Sequence, residues 1–323
     1  ILGVPVDFFG DCIGLAAEEA TANLVPGSVI LMENLRFYEE ETSGDLDFAK
    51  SLSKLGDCYV NDAFGTAHRA HASTAVIAKF FKGRKCFGQL LLKEIESINK
   101  VMQSGEKPIT AILGGAKVSS KITIIDHILD KIDHLIIGGG MTFTFIKAAG
   151  GNVGNSLVEN DKLQLAKDIM NQASSKNVKI HLPVDVAANI EDNRVDLSIE
   201  ELPIEAPIFD LGIQSIRKLS AAIKSAGTIH LNGPAGVFEL DDFAFGTIEM
   251  LNACAESNGY VVVGGGHTST LIVKHGLRNK MGHLSTGGGA CLDYIAGKNL
   301  PAVASLEASA KAFTLNIRHA VDQ

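Results

Sequence analysis

Short apolar runs, most of them ending in glycine or asparagine, recur along the chain and constrain its fold more than any other feature. They are rich in β-branched residues, and longer amphipathic stretches separate them. Strands that alternate with helices in this way predict parallel sheets covered on both faces, a doubly wound α/β fold. The predicted strands are Val29–Met32, Cys58–Val60, Thr110–Leu113, His134–Ile137, Lys179–Leu182, Thr228–Leu231 and Tyr260–Val263, with helices such as Thr123–Ile132 and Lys162–Ala173 between them.

A helical pattern at Gln89–Gln103, followed by Gly105 and Pro108, separates an early group of strands from a later, larger group. The chain has 323 residues, 46% of them hydrophobic, which is enough for two cores. We expect two doubly wound domains: 1–88 as a partial N-terminal domain, 89–105 as an interdomain helix and hinge, 106–304 as the larger domain, and 305–323 as a C-terminal tail. The first domain is expected to be incomplete, because it is short for an α/β domain and the sequence begins without methionine.

Charge and cysteine content exclude several classes of protein. Lys and Arg total 29 against 37 for Asp and Glu, a net charge of −8, which argues against binding along a nucleic-acid backbone. No apolar run approaches the roughly 20 residues of a membrane helix, and the first residues do not resemble a signal peptide. The five cysteines show neither disulfide-dense nor metal-ligand spacing, which predicts reduced thiols in a soluble cytoplasmic protein.

Glycine clusters at 114–115, 138–140 and 264–266 follow predicted strands directly, and a fourth at 287–289 precedes an apparent helix. In parallel α/β sheets, ligands bind at the carboxyl ends of strands. Glycine lets backbone N–H groups converge on an anion, and a following helix adds its positive N-terminal dipole. Four such turns at one sheet edge predict a polyphosphate site, although any one of them alone would be read equally well as a tight turn.

Lys117 and Lys121 are four residues apart, which places them on one face of a predicted helix just after the first glycine turn. Two ammonium groups so arranged favour an anion between them; without the adjacent glycines, two solvated lysines would be the simpler interpretation. No cluster completes the phosphate-loop pattern G-x-x-x-x-G-K-[ST] or the dinucleotide pattern G-x-G-x-x-G. This weighs against a P-loop nucleotidase and against a dehydrogenase.

Two arginines and two histidines lie near strand ends in the early segment: Arg36, Arg69, His68 and His71. A guanidinium offers a planar fork that suits carboxylate and phosphate. Each of these residues alone would more often be solvated or salt-bridged, so the interpretation depends on their being grouped.

Six segments, in order, resemble the signature motifs of phosphoglycerate kinases and extend over nearly the whole chain. They are Glu33 to Phe37 (ENLRF), Asn61 to His71 (NDAFGTAHRAH), Gly114 to Val118 (GGAKV), Gly138 to Met141 (GGGM), Asn232 to Glu239 (NGPAGVFE) and Ser285 to Ala290 (STGGGA). The resemblance implies a two-domain glycolytic and gluconeogenic kinase. Such an enzyme moves a phosphoryl group between 1,3-bisphosphoglycerate and ADP, giving 3-phosphoglycerate and ATP, with Mg²⁺.

The resemblance also implies residue roles. Arg36, His68 and Arg69 would hold phosphoglycerate on the first domain, while Lys121, Lys117, Gly265 and Gly288 would be catalytic, stabilising the group in flight. The nucleotide site would comprise Lys117 and Lys121 at the phosphates, Gly138, Gly139 and Gly140 at the adenine, Asn232 near the phosphates, Glu239 on the ribose, and Gly236, Gly264, Gly265, Gly266, His267 and Thr268. No metal ligand is assigned. Because the substrates lie on different domains, the domains would close on a hinge, for which Leu91–Lys100 is the candidate.

Two departures from the family pattern concern residues with a proposed role. The family's opening strand, with its Arg and Asp-x-Asn substrate contacts, and its later His-Leu-Gly-Arg turn do not occur in this sequence. The family's Gly-Gly-Gly-Asp-Thr turn has His267 in place of the magnesium-associated aspartate, as in archaeal members. An imidazole is a poor ligand for a cation that prefers oxygen. We therefore expect an archaeal-type member that lacks the N-terminal part of the first domain.

Two other functions stay open. A chain that really starts at Ile1 would be a nucleotide-binding fragment without turnover. A doubly wound dehydrogenase or synthase is the third possibility, against which the missing G-x-G-x-x-G pattern counts.

Overall fold

The structure, a computed structural model, describes residues 2–202 and 205–307. The chain divides into a first unit of residues 1–93 and 298–323 and a second unit of residues 94–297. Residues 301–307 are helical and belong to the first unit, whereas the rest of the predicted tail from residue 308 lies outside the described residues. The functional boundaries that we predict at residues 88, 105 and 304 stay predictions.

Two separate pairs of parallel strands form the first unit, together with short helices. Its elements are β1 (Val6–Phe9), α1 (Leu15–Ala22), β2 (Val29–Met32), α2 (Glu39–Ser43), α3 (Leu46–Leu52), β3 (Tyr59–Asn61), β4 (Lys85–Phe87) and the beginning of α4 (Gln89–Met102). Strand β1 pairs with β2, and β3 pairs with β4. Phe48, Leu52, Ile77 and Phe81 form the centre of its hydrophobic core. Buried apolar area of this kind is the main source of stability for such a unit.

The second unit contains a six-stranded parallel sheet with helices between its strands. Its remaining elements are β5 (Ile109–Leu113), α5 (Ile122–Ile128), β6 (His134–Ile137), α6 (Met141–Ala148), α7 (Leu163–Ser175), β7 (Lys179–His181), β8 (Asp185–Ile190), β9 (Asn193–Ser198), β10 (Ile208–Leu211), α8 (Ile213–Lys224), β11 (Thr228–Asn232), α9 (Phe245–Glu256), β12 (Tyr260–Gly264), α10 (Gly266–Lys274), β13 (His283–Leu284) and α11 (Gly289–Ile295). The strand order is β13-β12-β11-β5-β6-β7. The chain therefore starts in the middle of the sheet, builds one half, and then crosses over to build the other.

The central strands of this sheet are buried throughout, because helices cover both of their faces. Every residue of β5 and β11 is buried, including Thr110, His230 and Asn232. The sheet packs against α8 and α9 through a cluster that includes Ile229 and Leu231. A continuous apolar run is what a parallel strand covered on both faces requires.

The predicted α/β fold with parallel sheets is confirmed, and the predicted strands match the observed ones to within one residue at each end. Missing from the prediction is a three-stranded antiparallel sheet in the order β10-β8-β9. Strands β8 and β9 are joined by Glu191 and Asp192, whose φ angles are 49° and 61°. Positive φ at both residues of such a turn normally indicates Asn-Gly or Asp-Gly in the sequence, so the turn carries no recognisable signal. Among the described residues, no helix combines the length and apolarity needed to span a membrane.

Candidate active site

The carboxyl edge of the large sheet brings the glycine turns together. The strand order reverses between β5 and β11, and in open α/β sheets this reversal creates a crevice that binds ligands. Main-chain hydrogen bonds connect the turns: the Gly114 amide donates to the Asn232 carbonyl oxygen at 2.9 Å, and the Gly139 amide donates to the Ala235 carbonyl oxygen at 2.8 Å. The turns after β5, β6 and β11 therefore form one connected backbone structure.

Gly139 shows why this structure needs glycine. Its φ is +68°, and a Cβ atom there would lie 2.6 Å from the Gly115 carbonyl oxygen and 2.7 Å from the Gly115 nitrogen. Any side chain would thus be strained by its backbone conformation and would also collide with the neighbouring turn. The turns at Gly115 and Gly139 can therefore approach this closely only with glycine at position 139.

A cavity of about 440 Å³ opens between these turns. Among the predicted nucleotide-binding residues, it is lined by Gly139, Gly140, Gly236, Glu239 and His267. Its other walls are largely apolar and include Phe143, Leu157, Val186, Ile208 and Phe238. The volume and the mixture of apolar walls with a few polar groups are typical of a small-molecule site. The other residues that we predict for the nucleotide site and for catalysis do not line this cavity: Lys117, Lys121, Gly138, Asn232, Gly264, Gly265, Gly266, Thr268 and Gly288.

Lys121 and Asn232 meet beside the cavity, where the Lys121 ammonium donates to the Asn232 side-chain oxygen. Asn232 ends β11 and is 3% exposed, and it lies two residues before Pro234, which lines the cavity. Burial lowers the pKa of Lys121. A partly desolvated ammonium group is a stronger electrostatic partner for an anion than one in bulk water.

Lys117 and Lys121 do not share one face of a helix, so this part of the sequence prediction is wrong. Lys117 is exposed and has an extended backbone, and a single 3-10 turn, Val118–Ser120, separates it from Lys121. Glu159 holds this turn, because its carboxylate accepts hydrogen bonds from the Ser119 amide at 3.1 Å and the Ser119 hydroxyl at 2.5 Å. Burial pushes the pKa of Glu159 up, but the bonds from Ser119 outweigh it and the net shift is downward.

The two later glycine clusters each lead into a helix. Gly264 ends β12, and α10 begins at Gly266; Gly288 precedes α11. A Cβ atom added at Gly266 or Gly288 would meet nothing within 4 Å, so the backbone of both turns borders open space. The nine-residue helix α10 directs its N-terminal amide groups toward this space, which suits an anion.

Glu94 of α4 fixes the turn that precedes α11. Its carboxylate, 1% exposed, accepts hydrogen bonds from the Thr286 amide at 2.7 Å and the Thr286 hydroxyl at 2.8 Å. His283 Nε2 lies 2.8 Å from the same carboxylate. Burial pushes the pKa of Glu94 up, yet His283 and Thr286 pull it below its ordinary value.

The first unit groups the predicted acid-binding residues around His71. Burial lowers the pKa of His71, and Arg69, Arg36 and His68 add to that shift while Glu41 opposes it. The Arg36 amide donates to the Asn34 side chain at 3.0 Å within a 3-10 turn. Arg36 and Arg69 are exposed, and His68 is half-buried. Each of the three predicted residues therefore lies near enough to His71 to influence its charge.

Glu41 organises the loop that carries this group. It is 3% exposed, and its carboxylate accepts hydrogen bonds from the Ser73 amide at 2.9 Å and the Ser73 hydroxyl at 2.6 Å. His71 Nδ1 lies 3.9 Å from Glu41 Oε1. Sequence reasoning missed Glu41, Glu94 and Glu159, because each is distant in sequence from the turn that it holds and none lies in a recognisable pattern.

Comparison with known proteins identifies the family. The sequence profile of the family described as "Phosphoglycerate kinase" matches residues 1–298. The chain belongs to the phosphoglycerate kinase family. It is 45% identical to the phosphoglycerate kinase of Pelotomaculum thermopropionicum and 46% identical to that of Dictyoglomus turgidum; each match covers 95% of this chain and 78% of the relative.

Solved phosphoglycerate kinase structures resemble the fold closely. The Coxiella burnetii structure has a TM-score of 0.86 at 40% identity and covers 94% of this chain and 77% of that one. The Pyrococcus horikoshii structure has a TM-score of 0.82 at 32% identity and covers 95% and 79%. As a phosphoglycerate kinase family member, the chain is a phosphotransferase with a carboxyl group as acceptor.

The described residues, 2–202 and 205–307, contain no group of three or more His, Cys, Asp or Glu side chains arranged to hold a metal ion. At the Gly264 to Thr268 turn, His267 lies with its ring centroid 5.6 Å from that of Phe238, against the apolar cavity wall. The Thr268 hydroxyl is buried and has no hydrogen-bond partner in the protein. Hard cations prefer oxygen donors, and the side chains of this turn supply one buried hydroxyl and no carboxylate.

Proposed function

We propose that the chain transfers a phosphoryl group reversibly between 1,3-bisphosphoglycerate and ADP, with the nucleotide bound in the cavity of the second unit. The observation that carries this proposal is the connected set of glycine turns at the strand reversal, with the cavity on one side and the bond between Lys121 and Asn232 beside it. This arrangement suits a ligand with an apolar ring at one end and a chain of phosphates at the other.

The nucleotide end is assigned from the chemistry of each position. Gly139 and Gly140 would contact the adenine, since glycine leaves a flat surface for an aromatic ring, and Gly138 precedes them on the same turn. Glu239 would accept hydrogen bonds from the ribose hydroxyls. Asn232 and the amides of Gly264, Gly265 and Gly266 would contact the phosphates.

Catalysis would depend on positioning and charge stabilisation rather than on a covalent intermediate. In phosphoryl transfer, charge spreads over the equatorial oxygens of the migrating group, so cationic and N–H donors fixed in advance lower the barrier. Lys121 and Lys117 would supply the cationic groups, and Gly265 and Gly288 the backbone donors. The partly buried position of Lys121 supports its assignment as the main stabilising group.

In the first unit, Arg36, Arg69 and His68 would hold the acid substrate. Two guanidinium groups can bind carboxylate and phosphate bidentately, and the buried His68 Nδ1 atom has no hydrogen-bond partner in the protein. Mg²⁺ would arrive with ADP or ATP as part of the substrate, held by the phosphates, and would neutralise charge on the transferred group. A cytoplasmic location is part of the proposal, although one relative is a chloroplastic enzyme.

The archaeal resemblance is proposed for the turn at His267 and Thr268 alone. The two relatives named by sequence are bacterial. Of the two solved structures, that from Pyrococcus horikoshii is 32% identical to this chain and that from Coxiella burnetii is 40% identical. That the family's opening strand lies outside this sequence remains a prediction. If a polypeptide proved by mass to begin at Ile1 bound MgADP without any turnover, the fragment alternative would replace the kinase.

Lys121→Ala tests the kinase proposal, with Lys167→Ala as control because Lys167 is an exposed lysine of α7 outside the site. We expect turnover with MgATP and 3-phosphoglycerate to fall about 100-fold in Lys121→Ala, because a charge-stabilising donor is lost chiefly from the transition state. MgADP affinity, measured by calorimetry, should fall much less. Unchanged turnover, or a fall in the control as large as in Lys121→Ala, would refute the assigned role.

A further inference from the structure

Arg194 lies outside the cavity lining, on strand β9, and its guanidinium group makes four hydrogen bonds. Nη1 donates to Asp210 Oδ2 and to the Asp242 carbonyl oxygen, both at 2.9 Å. Nη2 donates to the Leu211 carbonyl oxygen at 2.7 Å and to Asp196 Oδ1 at 3.2 Å. The planar fork of a guanidinium serves several acceptors at fixed angles, which a lysine ammonium on a flexible stem does not.

Three of the acceptors lie on segments that adjoin one loop beside the cavity, whereas Asp196 is on β9 itself. Asp210 and Leu211 end strand β10, whereas Asp242 lies in the 3-10 turn Asp241–Phe243, just after Glu239. We propose that Arg194 is a positioning residue for the nucleotide site, because it fixes the nucleoside loop, Gly236–Glu239, against β10. This inference rests on the proposed function, since it takes the nucleoside loop to contact the nucleoside.

Contacts within the loop support this role. The Val237 amide donates to the Phe209 carbonyl oxygen of β10 at 2.7 Å, so the loop begins on the strand that Arg194 holds. At the far end, the rings of Phe209 and Phe243 meet edge to face with their centroids 5.2 Å apart. The Arg194 guanidinium also lies 5.8 Å above the Phe245 ring, at the beginning of α9. Arg194 is thus the shared partner of strand β10, against which the loop lies, and of the 3-10 turn that follows the loop.

Asp210 makes the network sensitive to the loss of Arg194. Its side chain has no exposed surface, and Oδ2 also accepts a hydrogen bond from the Gly246 amide at 2.7 Å. Burial raises the pKa of Asp210, and Gly246 and Arg194 oppose that shift. A Cβ atom at Gly236 would lie 2.4 Å from Asp210 Oδ1, and one at Gly246 2.2 Å from it, so this carboxylate packs directly against the backbone of the nucleoside loop and of α9.

The network includes no group that we assign to the acid substrate or to the transferred phosphoryl group. Its members bond to β10, to the 3-10 turn that follows the nucleoside loop and to the beginning of α9. An interaction that fixes only the nucleoside contacts contributes equally to ground-state and transition-state binding. Loss of Arg194 should therefore weaken nucleotide affinity and leave turnover at saturating nucleotide nearly unchanged.

The test compares Arg194→Ala and Arg194→Lys with Arg217→Ala, in which an exposed arginine of α8 is removed. MgADP affinity would be measured by calorimetry, and the KM for 3-phosphoglycerate and turnover by steady-state kinetics. We expect Arg194→Ala to weaken MgADP binding about tenfold or more, and Arg194→Lys to keep part of that affinity, as for loss of charge-assisted hydrogen bonds. Turnover at saturating MgATP and the KM for 3-phosphoglycerate should stay within about twofold in both, as they should in Arg217→Ala.

Hydrogen exchange of the loop peptide provides the second measurement. Amides of residues 236–242 should exchange faster in both Arg194 variants and recover their protection when MgADP is added. If Arg194→Ala does not fold, Arg194→Lys alone decides the outcome. Normal MgADP affinity in the folded Arg194 variants, or an equal loss for both substrates, would overturn the proposal. Failure of the unaltered chain to bind MgADP would instead refute the proposed function, on which the inference rests.

Discussion

The turns that border the cavity in the second unit and the loop that carries the basic residues in the first are held by different kinds of contact. In the second unit, the turns that border the cavity bond to one another through their main chains, as between Gly139 and Ala235. In the first unit, the loop that carries the basic residues is held by a buried side chain, the Glu41 carboxylate bonded to Ser73. The turns around the cavity therefore depend on the absence of side chains, whereas the loop of the proposed acid site depends on a buried carboxylate, as do the turns that Glu159 and Glu94 hold elsewhere in the second unit.

The sheets of the two units also differ, in the number of strands and in how the strand ends are arranged. The second unit has six strands in register, so the ends of its strands lie at a common edge. The first unit has two separate strand pairs. Polar contacts join its segments, as where the Asn61 side-chain amide donates to the Thr74 carbonyl oxygen at 3.0 Å. Substitutions matched between the units can test the contrast.

The largest effect is expected from a matched pair of glycine substitutions. Gly139 and Gly83 have nearly the same φ, 68° and 71°, but only Gly139 has backbone atoms where a Cβ would be placed. Gly83→Ala should cost about 1 kcal/mol of unfolding free energy through backbone strain alone. Gly139→Ala should cost about 3 kcal/mol or more, since it also separates two turns. Urea unfolding followed by far-UV circular dichroism would measure both, and equal losses would contradict the main-chain account of the second unit.

A second test uses acid sensitivity, because the units treat their buried histidines differently. His71 has the Glu41 carboxylate nearby, whereas the buried His230 Nε2 has no partner in the protein and burial lowers its pKa to about 4. The folded-state pKa of His230 lies below its unfolded value of about 6.5, so the unfolded chain binds the extra proton. Stability should therefore fall as the pH drops from about 6.5 toward 4, with His230 contributing about 2 kcal/mol between pH 7 and pH 5.

His230→Leu should remove that contribution, since its neighbours in the sheet, Ala111 and Val262, are apolar. Hydrogen exchange measured at pH 7 and pH 5 would report on peptides of each unit separately. We expect the second unit to lose less protection at pH 5 in His230→Leu than in the unaltered chain, with no change in the first unit. An identical pH dependence in both proteins would show that His230 does not carry the acid sensitivity.

The smallest effects are expected from two carboxylate substitutions, each serving as the other's control. Glu41→Gln loses an acceptor for the Ser73 bonds, so it should weaken 3-phosphoglycerate binding about fivefold and leave MgADP affinity unchanged. Glu239→Gln should do the reverse by a similar factor, because a ribose contact is remote from the reacting atoms. Calorimetry with each ligand would measure both. Equal losses for both ligands in either variant would argue against the division of roles between the units.

The sequence predicted five of the six strands of the large sheet but two of the four strands described in the first unit. The central strands and the glycine turns after β5, β6 and β12 could be recognised in the sequence. A buried strand that ends in a turn leaves a local pattern, an apolar run followed by glycines. The cavity position of His267 could not be predicted, since it depends on its contact with Phe238. Glu41, Glu94, Asp210 and Arg194 could not be found either, because each acts on a segment that only the folded chain brings near.

The two units also differ in whether they consist of one continuous stretch of the chain. The second unit is one continuous stretch, residues 94–297, whereas the first combines residues 1–93 with a later segment whose Ala302 amide donates to the Ala67 carbonyl oxygen at 3.2 Å. Domains generally fold in the order in which the ribosome delivers them. Here the first unit cannot be complete until residues beyond 297 have been made, so the second unit can finish folding on the ribosome while the first is still unfinished.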